Sequence, residues 1–207
     1  MPSFPVHLLI AQMLSEKLGI TNKPSFLLGS IAPDSVNLKG FADQKTRYSA
    51  HIRSVDYNVW KNQLAEFYKD NADAFCDDID FLKGYVFHCI TDIAWDEAVQ
   101  PGLFIFLQKD QALSREQITK LKWEELFRFN SMLVKEELFT IGTELVKLAC
   151  ARDIASVTAG QIIQYRDYVV NDYKDKITPE LPQFLKMEHV NVCAARTLEL
   201  YSELIKA

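Results

Sequence analysis

His88 and Asp92 stand four residues apart in the apolar stretch FHCITDIAW, residues 87–95. On a helix this spacing puts both side chains on one face, with Cβ atoms about 5–6 Å apart. An imidazole nitrogen and a carboxylate oxygen so placed can hold one cation between them. Tyr85, Val86, Phe87, Ile90, Ile93 and Trp95 flank the pair and are largely apolar. A buried carboxylate is costly unless it is paired or coordinates a metal, so Asp92 requires a partner. One solution is a hydrogen-bonded His–Asp pair that only fixes core packing. The other is a metal site.

Three further residues bear on that choice. His7 falls on the apolar face of the first helical stretch, Asp34 follows Pro33 in GSIAPD, and His51 ends YSAH. Singly, each has a structural reading: a satisfied core histidine, a turn or cap residue, a surface histidine near a helix start. Together with His88 and Asp92 they supply three imidazoles and two carboxylates. Such a nitrogen and oxygen set suits zinc and, less specifically, iron or manganese.

The elements that must position these residues read as helices. VHLLIAQMLSEKL has apolar residues at helical spacing, and Gly19 suits the position past its end. PSFLLGSIAPD is a short apolar piece stopped by Pro33, and residues 35–50 are polar and irregular, which predicts a loop. A helix is expected from about Ser54 to Tyr68. Asp77 or Asp78 caps the next, which carries His88 and Asp92 to about Val99 before Pro101 ends it. Ser114 to Gln117 is a capping box opening a long helix through ITKLKWEELFRFNSMLVKEEL. Further helices are expected from Ser156 or Thr158 onward and over Met187 to Ile205. QPGLFIFLQ, residues 100–108, reads as either a lid or core. No alternating strand pattern is seen, so the expected fold is an all-α, single-domain multi-helix bundle over residues 1–207, with the candidate ligands in the first hundred.

Composition narrows the partners. Of 207 residues, 48% are hydrophobic and 25% charged, enough for a real core. The formal charge of −5 argues against a nonspecific phosphate-backbone binder, so no stable nucleic-acid binding is expected. No stretch reaches the roughly 20 apolar residues of a membrane span, and the N-terminus reads as no secretory leader. Cys76, Cys89, Cys150 and Cys193 are scattered and read as buried thiols in a reducing compartment. A cytoplasmic protein is expected. Trp60 and Trp123 read as core, and Asp96 and Glu97 as the solvated end of their helix. Lys39, Lys45, Arg47 and Arg53 form a basic group near His51 that suits a phosphate if the metal site is real.

The order MPSFPVHLLIA, FLLGSIAPDS, YSAH and GYVFHCITDIAW resembles the zinc-dependent phospholipase C family, an all-α group related to the single-strand-specific zinc nucleases. The resemblance covers roughly the first hundred residues. It implies that Asp34, His51, His88 and Asp92 surround one metal and that Asp92 bridges to a second near His7. One or two zinc ions and a phosphoester or phospholipid-headgroup substrate follow from it, with Asp34 orienting or deprotonating the attacking water. The chain departs from the family downstream: His189 has no glutamate four residues on, so a third metal is unsupported. The alternative expectation is a noncatalytic, metal-stabilised helical protein. An HD-type phosphohydrolase ranks below both, because no histidine is followed directly by aspartate.

Overall fold

The computed structural model describes residues 2–109, 113–173 and 177–205. Helix α1 (Phe4–Leu14) starts with Pro5 in its first turn, where a missing N–H costs nothing. It ends before Glu16–Leu18 rather than running through them, and Gly19 turns the chain at φ +63°. Helix α2 (Lys23–Gly29) is capped by Asn22, whose side chain accepts from the Ser25 amide. A 3-10 turn, Ala32–Asn37, follows.

Residues 35–50, expected as a loop, contain the end of that turn and a helix, α3 (Gln44–Ala50). Asp43 caps α3 by accepting from the Thr46 amide at 3.0 Å. The helix is seven residues long and mostly exposed, so it has almost no apolar periodicity to read. Helix α4 (Tyr57–Asn71) is capped by Asp56.

Helix α5 (Ile79–Ala98) carries His88 and Asp92. Asp78 occupies its N-cap position but does not cap it; the carboxylate instead accepts from Asn22 and Ser25 at the start of α2. Pro101 does not simply stop α5. It sits in the first turn of a new helix, α6 (Gln100–Leu107), which buries Leu103 and leaves Ile105 exposed. The predicted capping box at Ser114 and Gln117 opens α7 (Arg115–Leu133). The stretch expected to continue through Leu138 breaks after Leu133, and a separate helix, α8 (Glu137–Val146), follows. Thr158 and Gln161 form a second box at α9 (Ala159–Asp167), which runs into a π turn at Tyr168–Asp172. The last helix is α10 (Met187–Leu204). Among the described residues there is no strand, only an isolated bridge between Ile154 and Val157. No described helix is long and apolar enough to cross a membrane.

Two helices form the centre of this all-α bundle. From Phe4 through Gln12, α1 is buried on every face, and so is α5 from Gly84 through Trp95. A helix that is apolar all round is a core helix. Helix α5 packs against α2, α4, α6 and α10, and α1 against α7, α8 and α10. At the α2–α5 crossing Gly29 faces Gly84: a β-carbon at Gly84 would collide with the Phe26 carbonyl, and one at Gly29 with the Phe81 carbonyl. This close backbone approach brings the end of α2 within reach of His88.

Candidate metal centre

Five side chains from four elements converge at the core of the bundle. His7 comes from α1, Asp34 from the 3-10 turn, His51 from the residue after α3, and His88 and Asp92 from α5. His7, His51, His88 and Asp92 are fully buried, while the Asp34 side chain keeps 11% exposure. Asp92 Oδ1 lies 3.3 Å from His7 Nε2, and Asp92 Oδ2 lies 3.7 Å from His51 Nε2 and 4.0 Å from His88 Nε2. Asp34 Oδ1 is 3.5 Å from His51 Nε2. The rings of His7 and His88 stack at 3.7 Å between centroids.

Backbone carbonyls set the histidine tautomers. His88 Nδ1 lies 2.8 Å from the Ser30 carbonyl oxygen, and His51 Nδ1 lies 2.9 Å from that of Arg47. A carbonyl only accepts, so each Nδ1 carries the proton and donates it. Both neutral rings then turn an Nε2 lone pair inward, and these two atoms face each other at 3.2 Å. Orientation of one ring nitrogen by a backbone carbonyl is what prepares the other as a metal ligand. The segment bearing His51 is itself held: Trp60 Nε1 donates to the His51 carbonyl at 3.0 Å, and the Tyr85 hydroxyl donates to the Ala50 carbonyl. Ile52, next in the chain, is in the left-handed region at φ +51°, a costly conformation for a β-branched residue.

The polar groups inside are not satisfied by protein. Neither oxygen of Asp92 and neither ring nitrogen of His7 has a hydrogen-bond partner; the 3.3 Å pair is close but poorly aligned. Buried polar atoms normally have partners, and four orphans in one cluster mark a place for a ligand. Two overlapping sets, His7–His88–Asp92 and Asp34–His51–His88, bring one donor atom from each residue within 4.8 Å of the others. Three donors of mixed nitrogen and oxygen type fit a divalent transition metal with an open position.

The electrostatics agree with a cation site. Burial alone would raise both carboxyl groups, but the adjacent imidazoles outweigh it and hold Asp92 and Asp34 below the ordinary carboxylate range. Burial and the neighbouring His7 push His88 down to about 3. For His51, burial pulls downward, yet Asp34 and Asp92 outweigh it and raise the net value. A proton on His51 is therefore the nearest substitute for a metal.

Asp34 connects this cluster to solvent. It lines a cleft of ≈380 Å³ whose walls include Phe4, Arg47, Arg53, Lys122 and Trp123. His51 borders a smaller recess of ≈190 Å³ with Arg47 and Arg53. Of the basic group expected there, Arg47 and Arg53 reach the cleft and Lys39 and Lys45 do not. Asp96 is not solvated as expected. Its side chain is 3% exposed and accepts from the Tyr57 hydroxyl at 2.9 Å and from Arg53 at 3.2 Å. Glu97 is a partly exposed partner of Lys61 and Arg196. Trp60 is core, but Trp123, expected to be core, is 38% exposed on the cleft. Cys89 and Cys193 are buried as expected, whereas Cys76 and Cys150 are exposed. His189 accepts the Lys186 amide at the start of α10 and joins neither ligand set.

Sequence reasoning did not single out Lys122, Tyr165, Tyr168 or Tyr173, all of which line the cleft from the C-terminal half. No spacing signal marks them. They come from α7, α9 and the turn after it, and only packing brings them opposite Asp34.

The fold and cluster thus define a helical protein with a buried His/Asp group able to hold a metal ion. No protein-family model, curated protein or solved structure matches the chain.

Proposed function

We propose that the protein is a metal-dependent phosphoester hydrolase, with one or two zinc ions held by His7, Asp34, His51, His88 and Asp92. The observation that carries this reading is the unsatisfied interior of the cluster: two Nε2 atoms turned toward each other beside a buried carboxylate with no hydrogen bond. The resemblance of the motifs bearing these same residues to the zinc-dependent phospholipase C family points the same way. When bound, a divalent cation supplies Lewis acidity toward a phosphoryl oxygen and acidifies water to a pKa near 7 in favourable sites.

The chain's own residues divide the remaining work. His88 and Asp92 are carried by α5 and His51 is oriented by the Arg47 carbonyl, so these three are placed to fix the ion. Asp34 alone among the five lines the ≈380 Å³ cleft, so it is placed to accept a proton from a water entering there. Arg47 and Arg53, on the same cleft, supply charge to a phosphoryl group. The second reading is a metal held only for stability. Complete burial of His7, His88 and Asp92 favours it; the opening at Asp34 favours the enzyme.

Elemental analysis of protein purified without added metal or chelator tests the site. About one or two equivalents of zinc are expected in the wild type and none in His88→Ala, with helix content retained in both. No metal in the wild type after reconstitution with zinc, manganese and iron would sink the reading. Bound zinc without hydrolysis across a phosphomonoester and phosphodiester panel would leave the structural role.

A further inference from the structure

We propose that Lys122 forms a second anion-binding subsite in the cleft, so that the substrate carries an anionic group apart from the phosphoester held at the metal centre. This inference rests on the hydrolase reading and adds a substrate class to it: a phosphoester with a second phosphate or carboxylate.

The charges of the cleft lead to this. Three cations, Arg47, Arg53 and Lys122, and two carboxylates, Asp34 and Asp96, line the same cavity. Asp96 is engaged by Arg53 at 3.2 Å. Asp34 faces the cluster, 3.5 Å from His51. Among the described residues, neither Arg47 nor Lys122 has a carboxylate within ion-pair distance. Arg47 borders the recess that His51 also lines, so it is placed for the phosphoryl group. Lys122 comes from α7, on the other half of the chain, and has no such neighbour.

Lys122 is also poorly compensated where it stands. An ammonium has three donors. The one described hydrogen bond of Lys122 goes to Gln100 Oε1 at 3.1 Å. Its Nζ lies 5.3 Å from the centroid of Trp123 and 5.8 Å from that of Phe104. Burial lowers its pKa. A partly buried cation with no carboxylate in ion-pair contact is incompletely compensated, and a leucine or methionine would pack between those rings without that cost. An anion arriving in the cleft supplies what is missing. Phe41 and Trp123, 4.8 Å apart at the cleft mouth and both exposed, offer apolar surface for the organic part between the two charged ends. A cationic headgroup, by contrast, would be repelled by Lys122.

The test uses full-length zinc-loaded protein and ligands that are not hydrolysed. Calorimetric affinity for propylphosphonate, with one anionic head, is compared with that for alkane bisphosphonates of three to six carbons. The wild type is expected to prefer the best bisphosphonate by about ten-fold, the size of one charge-assisted hydrogen bond. Lys122→Met should lose this preference and Lys122→Arg should largely keep it, both with zinc content and melting temperature near the wild type. Propylphosphonate binding without any bisphosphonate preference would overturn the subsite and leave the phosphoester reading standing. A preference that persists in Lys122→Met would place the second anion elsewhere and overturn the assignment. Retained zinc with no binding of either ligand would overturn both the subsite and the phosphoester reading.

Discussion

Asp92 and Glu125 are two carboxylates buried to nearly the same degree, at 0% and 2% exposure, with opposite surroundings. Glu125, on α7, accepts three backbone amides from the segment leading into α10: Gln183 at 2.9 Å, Phe184 at 2.7 Å and Leu185 at 2.9 Å. Its charge is satisfied by the fold, and in return it pins that segment to α7. Asp92 receives no hydrogen bond at all and is bordered by three imidazole nitrogens. Burial alone does not tell a structural carboxylate from a ligand-binding one. What distinguishes them is whether protein donors have been provided.

The comparison breaks most visibly at Glu125. Glu125→Leu should cost about 3–5 kcal/mol, because hydrogen bonds to a charged group contribute about 1.5–3 kcal/mol each and do not add fully. Urea unfolding should show the same loss with and without zinc. An effect that disappears in zinc-free protein would mean that the segment is held through the metal centre instead.

Asp92→Asn should differ in its dependence on zinc. In metal-free protein it removes a carboxylate charge that the neighbouring imidazoles favour, so stability at pH 7 should fall. With free zinc at a hundred times its Kd the wild type should gain about 2.7 kcal/mol, a gain the variant lacks. No loss in the metal-free variant would show that the imidazoles do not favour the ionised Asp92.

The effect that is smallest per step is the pH dependence. His88 is held near 3 when folded against 6.5 ordinarily. Between those values the unfolded chain binds the extra proton, so stability falls as pH drops, by up to about 1.4 kcal/mol per unit. Asp34 and Asp92, both lowered, add to the fall below 3.8. His51 runs the other way: its value is raised from 6.5, so its contribution is complete below 6.5 and is lost as pH rises through the folded value. Metal-free protein should therefore be most stable near pH 6.5 in thermal melts. Zinc-loaded protein should lack the alkaline decline, because the metal replaces the His51 proton.

Much of this was legible in the sequence, for reasons that can be named. Helix α5 is readable from an apolar run of helical length, and the Ser114–Gln117 box announces α7 through side-chain chemistry that acts within one turn. Such local signals survive without tertiary context. Helix α3 escaped because it is short, polar and exposed; its cap at Asp43 is its one local sign. The break after Leu133 escaped because α7 and α8 share one continuous helical pattern. Asp96 reads as solvated because its neighbours Trp95 and Glu97 cannot reveal that Tyr57 and Arg53, some forty positions earlier, supply its donors.

By itself the sequence determined that the chain is helical, and it picked out the five residues now found in one cluster, since the spacing in HxxxD and the rarity of histidine are local properties. The tertiary structure alone decided which nitrogen of His51 and His88 faces inward, because the carbonyls that orient them belong to Arg47 and Ser30, and Ser30 is reached only through the Gly29–Gly84 crossing. It alone separated Asp92 from Glu125 and brought Lys122 and Asp34 to one cleft. Hydrogen-bond partners and counterions come from distant segments, and only packing brings those segments together.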